Sequence, residues 1–191
     1  MVLPPLNIHP LTPERWQDFC ELFGSHGAYG GCWCMWWRTT RRQFEQNGSR
    51  GNRQAMQELV DAGTIPGILA YRESKPIAWC SLAPREHYAS LNRSRVLKPV
   101  DDQPVWSLVC FFIAKQFRGQ GVALQVLSGA IEYAANQGAR IIEAYPTIPK
   151  SDNLPPVSSF MGVPSLFAQA GFIEIARPSQ VRMIMRYYIA A

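Results

Sequence analysis

The chain reads Val105-Trp106-Ser107-Leu108-Val109-Cys110-Phe111-Phe112-Ile113, then Ala114-Lys115-Gln116-Phe117-Arg118-Gly119-Gln120-Gly121, and this stretch decides the fold. Its first nine residues are apolar apart from Ser107, the pattern of a strand covered on both faces. After Gly121, residues Ala123, Leu127, Ala130, Ile131 and Ala134 fall on one helical stripe, and Asn136-Gln137-Gly138 is a stop signal. Arg140 to Tyr145 reads as the next strand. The connection from first strand to helix carries two glycines, which let a ligand approach the backbone, and a helix N-terminus, whose free N–H groups attract an anion. A pyrophosphate would suit it, although a plain strand-helix turn has the same spacing. No Gly-Lys-Ser/Thr follows, and the third glycine of a dinucleotide fingerprint is missing, so neither of those phosphate motifs applies.

Outward from this unit, Gly67 to Tyr71 and Pro76 to Ser81 read as a hairpin around Glu73-Ser74-Lys75. Asn7 to Leu11 reads as a short first strand. Thr12 and Pro13 open a helix bearing Trp16, Phe19, Cys20 and Phe23, and further helices are expected over Thr39 to Gln46 and Gln54 to Val60. Leu82 to Pro104 is an excursion without sustained periodicity, and Pro146 to Pro156 is a loop with four prolines. A short helix over Pro164 to Ala170 precedes two closing strands, Phe172 to Arg177 and Val181 to Ile189. The expected organisation is one domain over residues 1–191, with an elaborated helical and aromatic segment at about 24–62.

At 191 residues, 47% hydrophobic and 17% charged, the chain can bury a sizeable core and is neither disordered nor a charged coiled coil. No apolar run approaches the roughly 18 to 20 residues of a membrane span, and Met1 to Leu11 has no basic region of a secretory leader. A cytoplasmic protein is expected, with no membrane partner and with its five cysteines as thiols. The net charge of +5 is concentrated in two places. Residues 38–53 hold five arginines against Glu45 alone, and residues 72–98 hold six basic side chains against Glu73 and Glu86. No nucleic-acid motif accompanies this charge, so an anionic small ligand is expected and a nucleic-acid partner is not.

Gln116, Gly119 and Gly121 satisfy Gln/Arg-x-x-Gly-x-Gly/Ala, Arg118 supplies the basic residue before the first glycine, and Ala170-Gly171-Phe172 follows a short helix. In these features and in element order from about residue 67 to 189 the sequence resembles the GCN5-related N-acetyltransferase (GNAT) superfamily. The resemblance implies an α+β fold. Its mixed, mostly antiparallel sheet would have about six to seven strands, helices on both faces, and fourth and fifth strands that start parallel and splay apart. It also implies acetyl-CoA as co-substrate and no metal. Phe111, Phe112 and Ile113 would offer strand-four backbone groups to the pantetheine arm. Gln116, Arg118, Gly119, Gln120, Gly121 and Val122 would form the pyrophosphate loop, and the thioester would lie near Val109 to Phe111 and Glu143 to Tyr145. The implied reaction is acetyl transfer to an amine.

Acid-base groups depart from the family pattern. No Asp or Glu lies between Asp102 and Glu132, and Phe167 stands four residues before Gly171, where many members have a general-acid tyrosine. Glu143 and Tyr145 share one strand face and are the catalytic candidates, Glu143 as a base acting through water, Tyr145 as acid or substrate contact. A partly exposed or ion-paired Glu143 and a packed Tyr145 are the alternatives. In Cys32-Trp33-Cys34-Met35-Trp36-Trp37-Arg38, three tryptophans either fill core or form an acceptor pocket in which Trp33, Trp36 and Trp37 hold the amine and Arg38 meets a carboxylate. Cys32 and Cys34 lack a second ligand pair, so zinc is not expected. The expected activity is acetylation of a small-molecule primary amine. A non-catalytic acyl-CoA-binding module and a protein or peptide amine acetyltransferase are the alternatives, and a homodimer is left open.

Overall fold

The structure, a computed structural model, describes residues 4–149 and 160–190. Residues 150–156 of the expected proline loop lie outside the described residues. Seven strands form one sheet in the order β1-β2-β3-β4-β5-β7-β6, spanning β1 Asn7–Pro10, β2 Ile68–Arg72, β3 Lys75–Pro84, β4 Trp106–Ile113, β5 Ile141–Ala144, β6 Ile173–Ser179 and β7 Arg182–Tyr188. Every neighbouring pair is antiparallel except β4 and β5. Five α-helices accompany them among the described residues, α1 Trp16–Phe23, α2 Arg41–Asp61, α3 Ala89–Asn92, α4 Val122–Asn136 and α5 Pro164–Gln169. The two helices expected before the hairpin are the arms of α2, joined across a kink where Gly48 takes φ 55°. A capping box between Thr40 and Gln43 fixes its start.

Period-two alternation sorts the strands onto two cores. Ile68 and Ala70 of β2 face α4 and α5, together with Leu108, Phe111, Ile142 and Phe167. Leu69 and Tyr71 face the other way, where α1 and α2 pack with Trp33, Met56 and the fully buried Trp79. Further along that second face, the excursion after β3 lays Tyr88, Leu91 and Leu97 over Val109, Tyr145 and Ile184.

Two irregularities of β4 shape the middle of the sheet. Between the pairs Ser81–Cys110 and Leu82–Leu108, β4 has one residue more than β3. This bulge at Val109 turns both Val109 and Cys110 toward the second face, while Leu108 and Phe111 stay on the first. On its other edge β4 pairs with β5 over Trp106 to Leu108 only. Strand β5 ends at Ala144, two residues before Pro146, and β4 runs on to Ile113 without it. The Phe111 N–H donates instead to the Phe160 carbonyl at 2.6 Å.

Phe167, where a tyrosine is usual in the family resembled, is fully buried, with its ring 6.0 Å from Phe111 and 5.1 Å from Phe172. Phe167→Ala should therefore cost about 3–5 kcal/mol of stability, read from urea unfolding, with the slope against urea unchanged.

Candidate active site

The connection from β4 to α4 is open backbone. Gly119 and Gly121 take φ 71° and 72°, Gly121 sits at the N-cap of α4, and a Cβ on Gly119 would meet nothing within 4 Å. Among the described residues, no N–H from Gly119 to Ala123 has a backbone acceptor. Beside them lies a cavity of about 300 Å³ lined by Ile113, Phe117, Arg118, Gly119, Val122 and Leu166, among others. A cradle of free N–H groups at a helix N-terminus, next to an apolar-walled slot, fits a pyrophosphate and the chain attached to it. Arg118 differs from the expectation for its amide, which already donates to the Lys115 carbonyl at 3.3 Å, while its Nε holds the Ile113 carbonyl at 2.8 Å. The Gln116 carbonyl accepts from the Gln120 side chain at 2.7 Å, bracing the loop from within. Phe112 turns to the second face, its ring 5.2 Å from Phe23.

Under the β4–β5 pairing lies a buried charge cluster. Glu143, fully buried, accepts from Arg85 Nη1 at 3.1 Å and the Tyr145 hydroxyl at 2.8 Å on Oε1, and from Arg186 Nε at 2.8 Å on Oε2. The Tyr145 hydroxyl also meets Ser107 Oγ at 2.6 Å and Arg85 Nη1 at 2.8 Å, and Arg186 grips Asp101 with two further bonds of 2.7 and 2.9 Å. Burial pushes the Tyr145 hydroxyl well above its usual range, and the Glu143 charge adds to it. The carboxylate expected to act as a base thus has both oxygens held by arginines and no exposed surface, the ion-paired alternative for this residue. Tyr145 is equally enclosed. Arg85 and Arg186 carried no sequence signal beyond charge; their roles follow from register, since Arg186 is opposite Glu143 on β7.

The tryptophan cluster divides. Trp33 is core, 5.8 Å from Phe23 and nearly parallel to it, with its indole N–H on Ser49 Oγ at 3.1 Å. Trp36 is exposed and packs edge-on to Phe44. Trp37 is half-buried, and its indole nitrogen is buried with no hydrogen-bond partner among the described residues. Arg38 is buried, donating to the Pro66 carbonyl at 2.8 Å and the Tyr88 hydroxyl at 3.2 Å, with its guanidinium 4.5 Å from the Tyr88 ring. Among the described residues, its Nε has no partner and its guanidinium no carboxylate.

The model of the acetyltransferase (GNAT) family matches residues 33–155, more than half of the chain. The chain belongs to the GNAT acetyltransferase family. No curated protein matches the sequence. Among solved structures, a GNAT-family acetyltransferase from Streptococcus agalactiae superposes with a TM-score of 0.58 at 14% identity, covering 97% of this chain and 96% of that one. PaiA N-acetyltransferase from Thermoplasma acidophilum, solved with coenzyme A, gives 0.55 at 12% identity, covering 97% and 100%. A ribosomal-protein-alanine N-acetyltransferase from Brucella melitensis gives 0.52 at 16% identity, covering 96% and 100%. These likenesses bear out the expected α+β fold with its parallel β4–β5 pair, and at such identities they carry the fold alone. Among the described residues, no helix of this acetyltransferase is long and apolar enough to cross a membrane.

One residue on the second face entered the sequence reading only as a metal ligand to be set aside. Cys34 is buried, takes φ 60° after Trp33 at φ 42°, and accepts from Trp79 Nε1 at 3.1 Å. Cys110, half-buried on β4 beside the bulge, packs against the same cluster. The Cys110 side chain, with help from Trp79, Ser81 and the Arg38 charge, outweighs burial and brings Cys34 down to about 7, while Cys34 and burial push Cys110 well up. The sequence signal was slight: Cys110 lies on the predicted strand, but only the bulge and the left-handed backbone at Cys34 bring the two together.

Glu143→Gln should destabilise this acetyltransferase by about 3–5 kcal/mol, because it leaves Arg85 and Arg186 buried around a neutral amide; chemical unfolding measures it. Asp101 behaves differently. Arg186 holds its carboxyl below the ordinary value of 3.8, so its contribution is present above that value and lost as pH falls through the lowered one. Asp101→Asn should lower the melting temperature at pH 7, and the difference from wild type should vanish in acid.

Proposed function

We propose that this GNAT enzyme transfers the acetyl group of acetyl-CoA to the primary amine of a small molecule. The pyrophosphate would lie on the N–H groups of Gly119 to Val122, reinforced by the α4 dipole, and the pantetheine along the open edge of β4 from Phe111 to Ile113. Where it takes the Phe111 N–H, it replaces the Phe160 carbonyl. The acetyl group would then stand at the Val109 bulge, where β4 and β5 part.

One observation supports a small acceptor. Among the described residues, Trp37 Nε1 and Arg38 Nε are buried N–H donors without partners, on the sheet face toward which Cys110 turns. Buried polar groups are rarely left unsatisfied, and an acceptor carrying a carboxylate or carbonyl would satisfy both. Trp37 and Arg38 are therefore assigned to the acceptor pocket, Trp33 to its rear wall and the exposed Trp36 to its rim. Glu143 and Tyr145 act as positioning residues: with Arg85 and Arg186 they hold the point where the strands separate. Transfer to an amine is chiefly a matter of such positioning plus one proton-transfer pair.

A thiol-release assay over a panel of amines, with and without a neighbouring carboxylate, should show turnover of a small amino acid or related amine. Turnover confined to peptide N-termini would overturn the small-acceptor reading, and acetyl-CoA binding without release above hydrolysis would favour a non-catalytic acyl-CoA module. Gly119→Asp, which has room for its side chain but places an anion in the cradle, should weaken acetyl-CoA binding about tenfold or more by calorimetry, a loss of about 1.4 kcal/mol. Unchanged affinity in the folded variant would contradict the placement.

A further inference from the structure

The β2–β3 hairpin ends in a basic side chain whose best hydrogen-bonding edge is unused. Ile68, Ala70 and Arg72 alternate along β2, and the first two face α4, which places Arg72 on that same face at the hairpin tip. Beyond the last β3–β4 pair, Ala78–Ile113, the Ala114 N–H still donates to the Ile77 carbonyl at 2.9 Å, so the loop from Lys115 to Gly121 leaves β4 alongside the tip. There the half-buried Arg72 lays its guanidinium 5.0 Å from the centre of the Phe117 ring, and its Nη1 reaches Gln120 Oε1 at 3.5 Å, the outer limit of a hydrogen bond. Arg72 Nε and Nη2 are buried and have no acceptor among the described residues, and no carboxylate there pairs with the group. These two nitrogens form the side-on edge of a guanidinium, from which two parallel N–H bonds grip one carboxylate or one phosphate. An unpaired edge shut off from water is costly. Phe117 holds the flat face of the group by a cation–π contact and leaves the edge unserved.

The surroundings favour an anion. Lys75 on the hairpin and Lys115 and Arg118 on the loop are exposed, against the exposed Glu73. Coenzyme A runs in the order thiol, pantetheine, pyrophosphate, adenosine 3′-phosphate. With the pantetheine directed inward through the slot lined by Ile113, Val122 and Leu166, and the pyrophosphate on the backbone cradle, the end left outside the loop carries the 3′-phosphate. We propose that Arg72 is the specificity residue for that end: its Nε–Nη2 edge binds the 3′-phosphate and selects coenzyme A over carriers that lack it. This rests on the coenzyme placement proposed above. A phosphate monoester carries close to two charges at neutral pH and has several acceptor oxygens on one phosphorus, the partner that a two-pronged cation fits. The side chain reaches it by turning over the face of Phe117, which keeps the ring contact while the edge swings from protein to phosphate, and the long Gln120 contact holds it back little. The 3′-phosphate is remote from the reacting carbon, so Arg72 contributes to binding of the coenzyme and not to the chemical step. A brace acting on the loop through Gln120 would affect every pyrophosphate-bearing ligand alike, whereas recognition of the 3′-phosphate distinguishes between them.

The test uses the whole protein with acetyl-CoA and with acetyl-3′-dephospho-CoA, which differ only in that phosphate. Calorimetry on the wild-type protein should show acetyl-CoA bound about tenfold or more tighter, the worth of a hydrogen-bonded charge pair. Arg72→Gln should weaken acetyl-CoA by the same factor and leave acetyl-3′-dephospho-CoA unchanged, so that the two ligands become alike. Arg72→Lys, which keeps the charge without the two-pronged edge, should retain only part of the preference. With any accepted amine, Arg72→Gln should raise the KM for acetyl-CoA about tenfold while kcat stays constant. Circular dichroism reports that the variants fold. A wild-type protein that binds both ligands alike would overturn the proposal without any variant. Equal losses of both ligands in Arg72→Gln would also overturn it, making Arg72 a brace of the loop or a pyrophosphate contact, and so would a fall in kcat at unchanged KM. None of these results touches the placement of the coenzyme on the cradle. Failure of the wild-type protein to bind either ligand would overturn that placement together with the proposal.

Discussion

Two arginines share one buried carboxylate beneath the parallel β4–β5 pairing, and the geometry of the candidate active site depends on that interaction. Glu143 holds Arg85, which follows β3, and Arg186, which lies opposite it on β7. The clamp binds three strands and the excursion after β3 at the level where β4 and β5 touch. Beyond it, β5 stops and β4 continues past its bulge, so one edge of β4 is free of β5 while its other edge stays bonded to β3. Such a cluster is weak evidence for stability, since a well-packed apolar core could do as well. Its value here is geometric, because it fixes the level at which the two strands diverge.

The consequences reach both faces. On the first, α4 begins at Gly121 with unpartnered N–H groups beside a cavity of about 300 Å³. On the second, the bulge turns Cys110 toward Cys34, Trp79 and the aromatic segment. The formal charge of +5 has little to do with the cradle, where backbone dipoles suffice. Inside the fold, Arg85 and Arg186 are balanced by Glu143 and Asp101, and Arg38 lies against the Tyr88 ring.

The fold was largely legible in the sequence because it is written in local signals: the apolar run of β4, the glycines before α4, and the alternation of the β2–β3 hairpin. The glycine pair also marked the cradle. The catalytic side was not legible, for two physical reasons. Whether Glu143 is a free base or a clamped anion depends on Arg85 and Arg186, 58 and 43 residues away in sequence. The meeting of Cys34 and Cys110 depends on a bulge and on positive φ at non-glycine residues, neither of which has a composition signature. Likewise, three neighbouring tryptophans gave no hint that one would be core, one exposed and one half-buried with its indole nitrogen unpartnered among the described residues.

A crystal structure of the complex with coenzyme A tests the central claim most directly, because it locates the cradle, the free strand edge and the sulfur together. The account predicts pyrophosphate oxygens within hydrogen-bond reach of the N–H groups of Gly119 to Val122, the pantetheine on the β4 edge in place of the Phe160 carbonyl, and the coenzyme sulfur at the Val109 bulge. A coenzyme bound elsewhere, or one whose sulfur lies away from the point where β4 and β5 part, would contradict it.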